Sequence, residues 1–137
     1  MAQKKRIIIA EDQKILREGL KALLSSSEDF EVVGDAEDGL DAIRAVKMHN
    51  PDLLLLDISM PKMNGMSVIK DIKNQNPKIK ILMLTVHESE EYILEAFKSG
   101  ADGYCLKDAS YSELVMAINS ILSDNRYISP GISQKIL

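Results

Sequence analysis

Residues 53–65, LLLLDISMPKMNG, constrain this chain more than any other stretch. Four consecutive leucines have no polar face, so a strand built from them is buried on both sides. Such a strand belongs to a parallel sheet with helices above and below, because βαβ crossovers cover both faces. The run ends at one carboxylate, Asp57, followed by a loop bearing Pro, Asn and Gly. Open α/β sheets place ligand sites outside the carboxyl ends of their strands, which is where Asp57 falls. An Asp there serves equally well as a helix cap or a turn residue, so the remaining sequence has to decide.

The remaining sequence repeats the pattern. Residues 6–10 carry Ile7-Ile8-Ile9 and read as a buried strand that stops at Glu11-Asp12. A helix over 13–24 follows, with Ile15, Leu16, Leu20, Leu23 and Leu24 at helical spacing. Strand 30–36 leads to a helix over 39–49, capped by Asp38, on Leu40, Ile43, Ala45, Val46 and Met48. After the 53–56 strand come helix 66–74, strand 79–84 ending at Thr85, and helix 88–99 on Tyr92, Ile93, Ala96 and Phe97. Gly100 suits the left-handed end of that helix. A short strand over 103–106 ends at Lys107, and Ser110 or Ser112 caps a last helix through Leu122.

Five βα units predict an α/β fold: a doubly wound, flavodoxin-like (βα)5 parallel sheet with right-handed crossovers and strand order 2-1-3-4-5. At 137 residues this is one domain. The net charge of −4 argues against nucleic-acid binding by this chain, and Lys4-Lys5-Arg6 reads as a solvated flank of the first strand. One cysteine, Cys105, excludes an intrachain disulfide and a multi-cysteine metal site, and reads as core. No apolar run is long enough for a membrane span or a signal peptide, and the cytoplasm is the expected compartment.

The residues that follow the strands share one edge of such a sheet. Glu37 follows a peripheral strand; Glu11, Asp12, Asp57, Thr85 and Lys107 converge. Two carboxylates about 5 Å apart repel by roughly 3 kcal/mol at an effective dielectric near 20. Three together need protons or a divalent cation, and an oxygen-only donor set favours Mg²⁺ or Ca²⁺ over zinc. A hydroxyl and an ammonium facing that site are suited to clamp the oxygens of a transferred phosphoryl group. Asp57 would be its nucleophile, forming an acyl phosphate.

These pieces resemble the receiver domain of two-component response regulators: Glu11-Asp12, Asp57 followed by Met60-Pro61 and Gly65, then Thr85 and Lys107. The resemblance spans residues 6–122. It implies that Asp57 is the phospho-acceptor for a sensor histidine kinase. It implies Asp12, Asp57 and the Ser59 backbone carbonyl as Mg²⁺ ligands, with Glu11 acting through water. Thr85 and Lys107 would bind the phosphoryl group, and Tyr104 falls where the family has a switch aromatic that turns inward when Thr85 moves. The implied protein is a phosphorylation-dependent switch acting through the face of its fourth helix, fifth strand and fifth helix. It is no enzyme beyond its own phosphorylation and dephosphorylation.

Residues 125–137, with a Ser129-Pro130-Gly131 turn, read as the start of an interdomain linker after a receiver domain over 1–124. Together with Gly103-Tyr104-Cys105-Leu106-Lys107-Asp108 they resemble the NarL/LuxR-type subfamily. That implies homodimerisation on phosphorylation and transcription control through a helix-turn-helix DNA-binding domain beyond Leu137. A stand-alone receiver acting through protein contacts is the alternative. A haloacid-dehalogenase-like phosphatase resembles a D-x-D core, but here Ser59 replaces the second Asp. A flavin module would want a Ser/Thr/Gly-rich loop where Glu11-Asp12 stand. Met60, Met63 and Met66 are expected over the rim of the site, and His87 beside it.

Overall fold

The computed structural model describes residues 3–57, 65–86, 88–130 and 132. Strands and helices alternate along it: β1 (Lys5–Ala10), α1 (Lys14–Ser25), β2 (Phe30–Ala36), α2 (Gly39–His49), β3 (Leu53–Asp57), α3 (Gly65–Gln75), β4 (Lys80–Thr85), α4 (Glu90–Ser99), β5 (Gly103–Leu106), α5 (Tyr111–Leu122) and β6 (Tyr127–Ile128). Every pairing is parallel and the order is β2-β1-β3-β4-β5-β6. The expected 2-1-3-4-5 order of a doubly wound sheet is therefore present, and β6 adds a sixth strand beyond β5.

The continuous apolar runs divide between two layers because strand side chains alternate in direction. Ile7, Ile9, Leu53, Leu55, Leu82, Leu84 and Cys105 meet Leu20 and Leu24 of α1 and Leu114, Ala117, Ile118 and Ile121 of α5. Ile8, Ala10, Leu54, Leu56, Ile81, Met83 and Tyr104 meet Ala42 and Val46 of α2, Val68, Ile69 and Ile72 of α3, and Ile93 and Ala96 of α4. The four leucines of β3 are buried by both layers at once. α5 lies so close to β5 that a Cβ on Gly103 would overlap Ile121 Cδ1 and come within 3.0 Å of Leu82 Cδ1.

Helix ends follow local chemistry. Asp38 caps α2 by accepting from the Asp41 N–H at 2.9 Å. Ser110, not Ser112, caps α5 by accepting from the Glu113 N–H at 3.2 Å. Gly100 ends α4 at φ +119°, a conformation glycine adopts without strain.

Expectations about helix faces fail in three helices; in α4 it is Tyr92, expected on the apolar face with Ile93 and Ala96, that stands at the surface. Ile15 is 88% exposed and Met48 78% exposed, with Leu23 and Leu40 also at the surface. In α1 the buried stripe is Leu16, Leu20 and Leu24, spaced by four; Ile15 and Leu23 form the neighbouring ridge, with Gly19 open between them. In α2, Leu40 and Met48 share an outward ridge with Arg44. Each helix covers the sheet through a stripe narrower than its run of apolar residues. Met66 lies in the core rather than over the rim. Ser59, Met60, Met63 and His87 lie outside the described residues.

Candidate functional site

Strand register brings the predicted residues to one edge. Glu11 and Asp12 follow β1, Asp57 and Thr85 are the last residues of β3 and β4, and Lys107 follows β5. Glu37, beyond β2, lies apart in a separate acidic group with Asp38 and Asp41. Glu11 and Asp57 are 1% and 2% exposed, Thr85 is fully buried, and Asp12 faces solvent. Carboxylate oxygens of Glu11, Asp12 and Asp57 all lie within 4.8 Å of one another.

Lys107 reaches across this group. Its Nζ donates to Asp57 Oδ2 at 3.0 Å and lies 3.0 Å from Glu11 Oε1. Its backbone N–H donates to the Thr85 carbonyl at 2.8 Å, which anchors the stem of the side chain to β4. Burial works against the ammonium, but Asp57 and Glu11 outweigh it and raise its pKa above the ordinary lysine value. Glu11 is held by more than its neighbours in sequence. Its N–H donates to the Ala36 carbonyl, its carbonyl accepts from Arg17 Nη1 at 2.7 Å, and its Oε2 accepts from the Gln13 N–H at 3.1 Å. Arg17 also pairs with Asp35 at 3.3 Å. Sequence alone does not single out Arg17; its one signal is a charge set between Leu16 and Leu20 on a helix that otherwise buries that side.

The charges do not balance. Among the described residues three carboxylates, two of them buried and Asp12 exposed, face one ammonium, an excess of negative charge. Burial pushes the Glu11 carboxyl up to about 7; the Gln13 N–H and Lys107 pull it down, and Asp12 and Asp57 push it further up. Glu11 Oε1 is buried and receives no well-directed hydrogen bond despite its closeness to Lys107. Among the described residues, an all-oxygen donor set with more carboxylates than ammonium groups to neutralise them fits a hard divalent cation. Asp12, exposed, leaves that position open to a ligand from solvent.

Tyr104 is fully buried, two residues before the end of the register that sets Thr85 opposite Leu106. Burial raises its phenol pKa, and a hydrogen bond with the Thr85 side chain opposes that rise. Cys105, on the other face of β5, is buried and its thiol is pushed up to about 11, so it is an inert core residue. A cavity of about 270 Å³ lies at the opposite sheet edge against Lys5, Asn50, Asp52 and Asn76.

Residues 7–119 match the family model described as the response regulator receiver domain. The chain belongs to this family. It is 37% identical over 132 residues to the transcriptional regulatory protein DegU of Brevibacillus brevis, covering 96% of this chain and 56% of that protein. It is 39% identical over 132 residues to the transcriptional regulatory protein LnrK of Bacillus subtilis, covering 96% of this chain and 60% of LnrK. The chain thus spans a little over half the length of these curated relatives. Among solved structures it is similar to a LuxR-family two-component response regulator from Aurantimonas sp. SI85-9A1, at TM-score 0.93 and 34% identity, covering 98% of this chain and 96% of that one. The receiver domain is a phosphorylation switch of two-component signalling and not an independent enzyme. Among the described residues no helix is long and apolar enough to cross a membrane.

Proposed function

We propose that Asp57 is the phospho-acceptor and that phosphorylation requires Mg²⁺ held by Asp12, Asp57 and the Ser59 carbonyl, with Glu11 acting through water. The observation that carries this is the placement of Asp57: buried at the end of a central strand, 3.0 Å from Lys107 Nζ, inside a group where, among the described residues, three carboxylates face one ammonium. The cation supplies charge neutralisation of the acidic group and of the incoming phosphate. An Asp57 oxygen attacks the phosphorus of a phosphohistidine; the P–N bond breaks and its electron pair returns to the imidazole, which takes up a proton. The product is an acyl phosphate. Lys107 stabilises the phosphoryl oxygens, and the Thr85 hydroxyl donates to one of them. Drawing Thr85 toward the phosphate vacates space beside the Tyr104 ring, which is already buried, and so holds the ring inward and sets the face of α4, β5 and α5.

The donor is a sensor histidine kinase, and phosphorylation promotes a homodimer. The output is transcription control through a helix-turn-helix domain beyond residues 1–137, a reading supported by the relatives' printed names and greater length. Acetyl phosphate or beryllofluoride with Mg²⁺ tests the site. One adduct per chain is expected, lost in Asp57→Asn and without metal. A full-strength adduct in Asp57→Asn removes Asp57 from its role.

A further inference from the structure

Beyond α5, residues 125–130 run along the outer edge of β5 as a strap. Tyr127 pairs with Gly103 and Ile128 with Tyr104. The Ser129 N–H donates to the Tyr104 carbonyl at 3.0 Å, and the Leu106 N–H donates to Ser129 Oγ at 3.1 Å. That hydroxyl donates onward to Glu113 Oε2 at 3.1 Å, an oxygen that also accepts from Tyr127 OH at 3.1 Å. Ser129 is buried with its hydroxyl both accepting and donating, which specifies a latch rather than a solvated turn residue. Arg126 lies over the Phe97 ring, 5.6 Å from its centroid. The strap therefore touches α4, β5 and α5 together, the face through which the switch acts.

Its surroundings bear on Tyr104 directly. Tyr104 has Met83 of β4 on one side and Ile128 on the other. Ile132 is fully buried in the same layer as Tyr104, Ile93 and Ala96, and Ile128 packs against that layer. A Tyr104 ring turning outward, away from β4, moves toward the edge that Ile128 occupies, in the layer where Ile132 is buried. Close-packed side chains do not yield space continuously, so an outward ring and a seated strap exclude one another.

We propose that the strap and Tyr104 form one two-state unit: the seated strap holds Tyr104 inward, release of the strap lets the ring turn out, and the strap is the element by which the state of the site leaves the domain. This rests on Tyr104 being the switch aromatic. The coupling is reciprocal: whatever favours the inward ring tightens the strap, and a weakened latch frees the ring.

Amide exchange and tyrosine ring signals measured by NMR on the full chain test this, first without metal. Ser129→Ala removes both bonds of the hydroxyl. Amide exchange at Leu106 and at position 129 is expected to rise roughly tenfold, and the Tyr104 ring signals to shift toward those of exposed tyrosine. Glu113→Ala, which removes the acceptor of both hydroxyls and leaves the strap sequence intact, is expected to act in the same direction. With Mg²⁺ and beryllofluoride, exchange in the strap is expected to slow. A Ser129→Ala strap that loosens while the Tyr104 ring stays put overturns the proposal. So does a formed Asp57 adduct with unchanged strap exchange. A failure to form the adduct removes the Asp57 reading instead, and the metal-free comparison still decides the strap.

Discussion

Glu11→Gln in metal-free protein isolates the electrostatic strain of the site. The Glu11 carboxyl is raised from 4.5 to about 7, chiefly by burial. Below 4.5 it is neutral in folded and unfolded chains, and its ionisation costs the fold nothing. As pH rises from 4.5 to about 7, the unfolded chain releases the proton while the folded chain keeps it, so stability falls. Above about 7 both are ionised and the fold carries the whole penalty. Each pH unit between the two values is worth ~1.4 kcal/mol, which makes the penalty about 3 kcal/mol. Glutamine cannot ionise, and its carbonyl oxygen still accepts from the Gln13 N–H. The variant is therefore expected to match wild type near pH 4.5 and to exceed it by about 3 kcal/mol near pH 8, roughly 10 °C in Tm. Urea unfolding followed by circular dichroism, with a chelator present, measures both ends. Saturating Mg²⁺ favours ionised Glu11 and is expected to shrink the difference. Parallel stability–pH curves for variant and wild type would show that burial does not strain this carboxylate, and surplus charge would then no longer call for a cation.

Three further outcomes are expected. The apparent affinity for Mg²⁺, followed by calorimetry, rises as pH increases toward about 7 and levels off above it, because Glu11 gives up its proton over that range; a flat profile contradicts this. Gly103→Ala forces Ile121 and Leu82 aside and lowers stability by about 1–3 kcal/mol in denaturant unfolding. Ile15→Lys changes stability by no more than about 0.5 kcal/mol, since Ile15 stands in solvent, whereas Leu20→Ala on the same helix costs about 2–5 kcal/mol; similar losses from both would put Ile15 back in the core.

The strands were legible because burial on both faces removes polar residues from them altogether, as in Leu53 to Leu56. The site was legible for a topological reason: parallel strands deliver their last residues to one edge, so Asp57, Thr85 and Lys107 could be gathered without knowing any side-chain position. The helices were less so. Ile15 and Met48 fit a helical spacing as well as Leu20 and Val46 do, and only the width of the covered stripe separates them. β6 escaped notice because two residues carry no periodicity, and Ser129-Pro130-Gly131 reads as a turn. What seats Tyr127 and Ile128 is backbone pairing and the Ser129 latch to Glu113, a residue whose sequence position signals only a helix N-terminus.

The shortest of the central strands is where the proposed coupling of charge and conformation would act. β5 has four residues, and Tyr104 stands three positions before Lys107, about 10 Å along an extended chain. That is too far for direct contact between an aromatic ring on one layer and an ammonium beyond the strand end. Thr85 closes the distance: its carbonyl accepts from the Lys107 N–H, and its side chain hydrogen-bonds with Tyr104. A phosphoryl group on Asp57 would compete for both the Lys107 ammonium and the Thr85 hydroxyl, so it acts on β5 from two ends at once. A strand this short has little pairing of its own to resist that pull. Its outer edge is secured by β6 and the Ser129 latch, so under the proposed coupling that pull would be felt first where the strap leaves the domain.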